Sequence, residues 1–200
     1  MSLKTEDFVL CFFYILLLHA GGDIDIMKKV SIIHPLQPIY SSSSRVLILG
    51  TMPSPKSREN GFYYGHPQNR FWRVLAAVLR EPVPISIEEK KHLLLAHDIA
   101  LWDVLHACSI HGADDSTIGN PVANPISTLL QRTCVQNIFT TGRKAYSLYE
   151  KLVYMQTGIH AVYLPSTSPA NCRMTMEQLV QAYSCIIEKI EIKGDKNNDG

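Results

Sequence analysis

Short apolar segments alternate with amphipathic segments along most of the chain. The apolar runs at 45–49, 99–105, 135–140 and 159–164 have the length and composition of buried strands. The segment Phe71–Leu79, which follows the first run, carries apolar residues at helical spacing. Because strands that alternate with helices form parallel sheets covered on both faces, we expect an α/β fold with a four-stranded, mostly parallel sheet.

Capping residues mark where three further helices begin. Ser86–Glu89 and Thr175–Gln178 are capping boxes, in which two side chains satisfy backbone N–H groups reciprocally. Asn124–Pro125 combines an N-cap residue with proline at the first helical position. Residues 108–123 are rich in Gly, Asp, Ser and Asn, and this composition predicts a loop. The predicted helices end near His97, Arg132 and Ile190.

The first 26 residues differ from the rest of the chain. Residues 8–20 are almost wholly apolar, but this segment is short for a membrane span. Acidic residues outnumber the single lysine before it, which is unlike the basic start of a signal peptide. Met27-Lys28-Lys29 has the character of a natural chain start. We therefore expect an extension outside the fold over 1–27, one domain over 28–192, and a polar tail over 193–200.

Composition and charge restrict the function only weakly. A net charge of +1 gives no general basic field, so any contact with nucleic acid has to be local. No two of the five cysteines lie at C-x-x-C spacing, which argues against a metal or redox site. We expect reduced, mostly buried thiols in a cytoplasmic protein.

The connection between the first strand and the Phe71 helix is unusually long for an α/β protein. Between Gly50 and Phe71 lie two glycines, three prolines and three aromatic residues. Long loops at the carboxyl ends of parallel strands carry the ligand sites of such folds. Gly50 and Pro53 predict a sharp exit from the strand that lets the backbone approach a ligand closely. We call residues 50–72 the first loop.

Several residues of the first loop allow two interpretations. The rings of Phe62, Tyr63 and Tyr64 either anchor the loop in the core or form a stacking wall for a planar base. In the functional interpretation, the Asn69 amide reads a base edge or holds a water. In the structural interpretation, it caps the following helix. The basic side chains either lie in solvent or contact phosphates. These basic residues are Lys56, Arg58, Arg70 and Arg73.

A second loop, residues 165–173, follows the last predicted strand. Two prolines stiffen it, and three small hydroxyl residues suit hydrogen bonds to phosphates. A rigid loop of this kind also suits insertion into a duplex as a wedge. The alternative is an ordinary connection that ends in a helix cap. Because both loops follow strands of a parallel sheet, we expect them to meet over one crevice.

The segments GTMPSPKS, GFYYGHPQNRFW and LPSTSPAN resemble the signature loops of the uracil DNA glycosylase superfamily. The similarity is greatest to the deoxyinosine (hypoxanthine) DNA glycosylases, and the mismatch-specific uracil glycosylases share a similar P-x-N-R-F-W run. The resemblance covers roughly residues 46–190. It implies a three-layer α/β/α fold and a monomeric, monofunctional glycosylase that flips the target base and uses water, without a metal or redox cofactor. The implied partner is DNA with deaminated bases, and no membrane is implied.

Position 52 departs from the family pattern. Most relatives carry Asp or Asn there, whereas this chain has Met52, and the deoxyinosine branch implies Asn69 as the catalytic substitute. Leu164 and Thr141 stand where some relatives have His and Asn. The implied base pocket consists of Gly50, Thr51, Met52, Pro53, Phe62, Tyr63, Tyr64 and Thr141. The implied DNA contacts are Ser54, Lys56, Ser57, Arg58, Arg70, Arg143, Pro165, Ser166, Thr167, Ser168, Asn171 and Arg173.

The chemistry of the implied reaction needs few charged residues. Cleavage of an N-glycosidic bond builds positive charge on the sugar, which the flanking phosphates stabilise, and negative charge on the base, which positioned donors stabilise. Hypoxanthine leaves more easily than adenine because its oxo group spreads this charge. The leading hypothesis is therefore excision of hypoxanthine from DNA. The alternatives are a uracil glycosylase, a lesion-binding protein with weak or no catalysis, and a small-molecule α/β enzyme without DNA affinity. Met52 favours the lesion-binding protein, because it cannot supply the usual acid or amide.

Overall fold

The computed structural model describes residues 30–112 and 114–191, and the expectations for residues 1–27 and 193–200 lie outside this part of the chain. The strands are β1 (Val30–Ile33), β2 (Val46–Gly50), β3 (Ile99–Asp103), β4 (Leu105–His111), β5 (Asp114–Ala123), β6 (Asn137–Thr141) and β7 (Ala161–Leu164). The helices are α1 (Pro55–Glu59), α2 (Phe71–Leu79), α3 (Ile87–Ala96), α4 (Ile126–Leu130), α5 (Arg143–Leu152), α6 (Tyr154–Thr157), α7 (Met176–Tyr183) and α8 (Cys185–Glu191).

The central sheet is parallel and has the strand order β3-β2-β6-β7. Every residue of β2 and of β3 is buried, so both faces of these strands are covered, as parallel strands require. The predicted α/β fold with a four-stranded sheet is confirmed. The chain passes from β2 to β3 on one side and later enters β6 on the other side. The carboxyl ends of β2 and β6 therefore flank a topological switch point, where α/β folds bind ligands.

Residues 108–123 are not a loop, as the composition predicted, but belong mostly to a β-hairpin. Strands β4 and β5 pair antiparallel, and β1 pairs with β4 to complete a three-stranded sheet. The prediction failed because β5 is a polar, partly exposed edge strand whose register with β4 shifts repeatedly. Edge strands tolerate proline and glycine, which elsewhere indicate a turn.

Both predicted capping boxes form. The Ser86 hydroxyl accepts the Glu89 N–H at the start of α3, and the Thr175 hydroxyl accepts the Gln178 N–H at the start of α7. The last predicted helix is divided at Ser184 into α7 and α8. Helix α2 packs against α7, which brings the ends of the first and second loops together. None of the helices in the described residues is long and apolar enough to cross a membrane.

Asn124 does not cap a helix, contrary to the prediction. Its Nδ2 donates to the carbonyl oxygens of Asp103 and Leu105 over 2.9 and 3.0 Å, and α4 begins at Ile126. The amide satisfies backbone acceptors on either side of the bend between β3 and β4. Asn124 therefore fixes the position of Asp103, the last residue of β3.

The thiols are less buried than expected. Cys108 is buried and Cys185 is half-buried, but Cys134 and Cys172 are exposed, and all four are free. The expectation of mostly buried thiols is therefore wrong for two of these four residues.

Candidate active site

A cavity opens where the carboxyl ends of β2, β3 and β6 meet the two loops. The first loop forms one wall and the second loop forms another, so the two loops meet over one crevice, as expected. The lining residues are Gly50, Thr51, Met52, Pro53, Ser54, Ser57, Tyr63, Tyr64, Asn69, Asp103, Asp115, Thr141, Ser166, Thr167 and Ser168.

Seven of the eight residues predicted to form a base pocket line this cavity, and Phe62 does not. Phe62 is buried and stacks on Trp72 with ring centroids 5.9 Å apart. It anchors the loop in the core, which is the structural role that the sequence left open. Tyr63 is also buried, and its hydroxyl donates to the Gln37 carbonyl over 2.9 Å, but it reaches the cavity as well.

Tyr64 is held in one orientation from both ends. Its ring stacks on Phe71 with a centroid distance of 3.8 Å, and its hydroxyl lies 2.9 Å from the Thr141 hydroxyl. Its φ of 51° is in the left-handed region, which is unfavourable for tyrosine, and these two contacts offset the energetic cost. Burial raises the pKa of Tyr64 well above its usual value, and the negative charge of Asp103 adds to this effect, so the phenol is neutral. The ring therefore offers a rigid, neutral surface.

Gly50 lets β2 approach the residues at the bottom of the cavity. A Cβ at this position would lie 2.2 Å from Asp103 Oδ1 and 3.2 Å from the Tyr64 hydroxyl. Asp103 is only 4% exposed, and an added methyl group would force its carboxyl group to shift. Glycine is required here for close packing.

The Asn69 amide oxygen joins the two loops. Oδ1 accepts the Phe71 N–H over 3.0 Å and the Thr167 hydroxyl over 2.9 Å. The N-cap position of α2 is Arg70, so Asn69 is not the N-cap residue, although its first bond satisfies the N–H of the first helical residue. Both bonds occupy only the oxygen. Nδ2 has no hydrogen-bond partner among the described residues, and Asn69 lines the cavity. Because the two donors fix which end of the amide is oxygen, the two N–H groups remain available for a ligand.

Arg70 acts as a clamp between the loops. Its guanidinium donates to the carbonyl oxygens of Asn171 over 2.7 Å, of Ser168 over 3.5 Å, and of Met174. Its backbone N–H donates to the Thr167 carbonyl over 3.1 Å. These contacts give Arg70 a structural role in joining the loops, and its predicted phosphate contact stays a prediction.

The other residues predicted to contact DNA fall into two groups. Ser54, Ser57, Ser166, Thr167 and Ser168 line the cavity, although Ser57 is buried and accepts the Gly65 N–H. The remaining residues lie outside it. Lys56 pairs with Glu59 at 2.7 Å, Arg58 donates to the Pro53 carbonyl, the Asn171 amide donates to the Ser166 carbonyl, and the Pro165 carbonyl accepts the Tyr183 hydroxyl. Arg143, which lies over the Tyr163 ring, and Arg173 are exposed.

Sequence reasoning missed a buried carboxyl group in the cavity, Asp103. His34 Nε2 lies 2.9 Å from Asp103 Oδ2, and the Leu36 N–H donates to His34 Nδ1 over 3.2 Å. Because Nδ1 is an acceptor, the hydrogen must be on Nε2, so His34 is a neutral donor to Asp103. The sequence did contain a feature that could have identified Asp103. It is the last residue of the apolar run of β3, as Gly50 is the last residue of β2, so both lie at the same edge of the sheet.

A second carboxyl group, Asp115, lines the cavity and was also missed. The Thr51 hydroxyl donates to Asp115 Oδ2 over 2.8 Å. Burial raises the pKa of Asp115, the Thr51 hydrogen bond opposes this rise, and the negative charge of Asp103 adds to it. Asp115 gave no signal because it lies in β5, which was predicted to be a loop.

Within the described residues, the cavity is lined by acidic and not by basic side chains. Among its described lining residues are two carboxyl groups and no Lys, Arg or His side chain. No cluster of three or more His, Cys, Asp or Glu side chains that could hold a metal ion occurs in residues 30–112 and 114–191. The cavity therefore offers neutral donors, carboxyl groups and ring faces to a ligand.

Residues 37–185 match the family model described as the uracil DNA glycosylase superfamily. The chain belongs to this superfamily. The matched segment includes all the residues that line the cavity. The resemblance inferred from the loop motifs is confirmed.

Two curated relatives are named hypoxanthine DNA glycosylase. The protein from Methanosarcina acetivorans is 37% identical over 139 residues, which are 68% of this chain and 87% of the relative. The protein from Methanosarcina barkeri is 31% identical over 137 residues, which are 68% of this chain and 86% of the relative. A solution NMR structure from M. acetivorans, provisionally assigned as a uracil DNA glycosylase, has a TM-score of 0.70 and 30% identity. It covers 81% of this chain and 99% of its own.

Proposed function

We propose that this protein is a monofunctional DNA glycosylase that excises hypoxanthine by hydrolysing the N-glycosidic bond of deoxyinosine in DNA. The observation that carries the proposal is the Asn69 amide. Its oxygen is fixed by Phe71 and Thr167, and its N–H groups are left for a ligand in the cavity. Two relatives that share about a third of their residues with this chain carry the name of this activity.

The cavity supplies the groups that the reaction needs for its leaving base. The Asn69 N–H groups donate to the hypoxanthine ring as its bond to the sugar lengthens, which stabilises charge on the base. The Tyr64 ring, fixed against Phe71, holds the flipped base in place. Met52 has no acid or amide to replace these contacts. The donors are preorganised, so they need no rearrangement during the reaction.

DNA contacts surround the mouth of the cavity. The hydroxyl groups of Ser54, Ser166 and Ser168 donate to the phosphates that flank the flipped nucleotide. Arg143 and Arg173 are exposed beside the ends of β6 and of the second loop, and they add sequence-independent attraction. The net charge of +1 limits this attraction to the neighbourhood of the loops.

Single-turnover assays with excess enzyme test the proposal. The substrates are oligonucleotides of one sequence that contain a single deoxyinosine, a single deoxyuridine or no modified base. Hypoxanthine excision should be fastest, and the unmodified strand should stay intact. Faster removal of uracil would identify a uracil glycosylase instead. Tight binding of the deoxyinosine strand without cleavage would identify a lesion-binding protein.

A further inference from the structure

The two carboxyl groups of the cavity pose an electrostatic problem for the proposed reaction. If hypoxanthine left as an anion, it would leave beside Asp103 and Asp115, with no basic side chain among the described lining residues. Neutral amide donors offset only part of that repulsion, because like charges interact strongly in a cavity that excludes water. A base that accepts a proton as it leaves avoids the repulsion.

We propose that Asp115 is a further catalytic residue, which donates a proton to a ring nitrogen of the purine as the glycosidic bond breaks. This inference rests on the proposed glycosylase function. The O–H bond of Asp115 breaks and its proton bonds to N3 or N7, while the electron pair of the C1′–N9 bond stays with the base. Neutral hypoxanthine leaves, the oxygen of water bonds to C1′, and a proton of that water returns to the Asp115 carboxylate.

The hydrogen bonds of the two aspartates assign them different roles. Asp103 is 4% exposed, and its Oδ2 is occupied by the hydrogen bond from His34 Nε2. Asp115 accepts the Thr51 hydroxyl at Oδ2, so a proton on Asp115 belongs on Oδ1, which has no partner among the described residues. The O–H group is therefore free to donate to a ligand.

The surroundings of Asp115 favour its protonated form. Burial and the charge of Asp103 on β3 raise its pKa, as does Asp114 beside it on β5, while Lys144 on α5 lowers it. The other titratable groups that interact with Asp115 are the Cys108 thiol on β4 and the Tyr64 phenol in the first loop. A carboxyl group that faces a cavity and has a raised pKa is suited to act as a general acid.

The test is the pH dependence of hypoxanthine excision under single-turnover conditions with saturating full-length enzyme. For the wild type, the rate should fall as the pH rises through the pKa of Asp115, because only the protonated form donates. Asp115→Asn should slow excision by roughly 10²–10⁴-fold and abolish this fall. Asp114→Asn is the matched control. It removes the charge of an exposed neighbour that does not line the cavity. Its profile should keep the fall in rate, moved only to slightly lower pH because Asp114 raises the pKa of Asp115.

A second variant keeps the test informative if Asp115→Asn does not fold. Thr51→Val removes the hydrogen bond that lowers the pKa of Asp115 and leaves the carboxyl group in place. The fall in rate should therefore move to higher pH. A purely structural role of Asp115 would not produce this shift.

The possible failures are distinguishable. If the wild type does not release hypoxanthine, both the proposed function and this inference are wrong. If it does, but Asp115→Asn keeps the wild-type rate or the fall with pH, only the role of Asp115 is wrong. A wild-type rate that rises with pH and levels off would show a general base instead, and would also overturn the inference.

Discussion

Replacing Asn69 by alanine should affect both stability and catalysis, because the structure gives the two ends of the amide different partners. Loss of Oδ1 removes the hydrogen bond from the Phe71 N–H, worth about 1 kcal/mol, and the bond from Thr167, worth about another 1 kcal/mol. The Thr167 hydroxyl is then left unpaired in a residue that is 1% exposed. The free energy of unfolding should fall by about 2 kcal/mol, and Tm by about 4–8 °C.

The catalytic effect of the same change comes from Nδ2. Loss of a positioned donor to the leaving base slows such reactions roughly 10²–10³-fold, or about 2.7–4 kcal/mol in the barrier. Affinity for deoxyinosine DNA should change much less, because phosphate contacts dominate it. Thermal unfolding, DNA binding and single-turnover excision are measured on one preparation of the variant.

Asn69→Asp separates the two effects. The carboxylate keeps an oxygen for the Phe71 N–H and the Thr167 hydroxyl, so stability should remain within about 1 kcal/mol of the wild type. It has no N–H to donate, and it adds a third carboxyl group to the cavity, so excision should slow at least as much as in Asn69→Ala. An Asn69→Asp enzyme with near wild-type rate would refute the donor role. So would an Asn69→Ala enzyme that loses stability but not rate.

Three further changes test other parts of the account. Asp115→Asn should raise the free energy of unfolding at neutral pH and not at pH 3. The pKa of Asp115 is raised in the folded protein, so the stability that Asp115 contributes is complete below its unfolded pKa and is lost as the pH rises through its folded pKa. Chemical denaturation at both pH values measures the difference. Gly50→Ala should abolish most excision and destabilise the fold, because the added methyl group would lie 2.2 Å from Asp103 Oδ1. A variant with the wild-type Tm and rate would contradict that packing. Arg173→Ala should lower the slope of log affinity for DNA against log salt concentration by about one unit. Arg70→Ala should instead lower Tm and change this slope little, because its guanidinium bonds to carbonyl groups of the second loop. A lower slope for Arg70→Ala and an unchanged slope for Arg173→Ala would show that Arg70 is the phosphate contact.

The central sheet was predictable because each of its strands has a local signal. The apolar runs at β2, β3 and β6 are buried strands in a parallel sheet, and such strands are continuous in hydrophobicity. The run at β7 is a partly exposed edge strand of the same sheet. The hairpin of β4 and β5 was not predictable in the same way. Its edge strand is stabilised by pairing with β4 and not by its own composition, and single-sequence patterns do not show such pairing.

The candidate site was predictable where it lies in the two loops and not elsewhere. The loop motifs located Gly50, Tyr64 and Asn69, because the unusual composition of these loops is visible in the sequence. Asp103 and Asp115 come from strands outside the loops, and only the fold brings them to the same cavity. The contacts of Arg70 with the second loop were not predictable, because charge in the sequence does not show which carbonyl groups a guanidinium will meet.

Direct detection of the released base tests the central claim most simply. Wild-type protein and Asn69→Asp are incubated in parallel with DNA that contains one deoxyinosine, and the free bases are separated by chromatography and identified by mass. The account predicts that the wild type releases free hypoxanthine in an amount equal to the abasic sites formed, while Asn69→Asp releases it at least about 10²-fold more slowly. Abasic sites without hypoxanthine, or intact deoxyinosine DNA after incubation with the wild type, would contradict it.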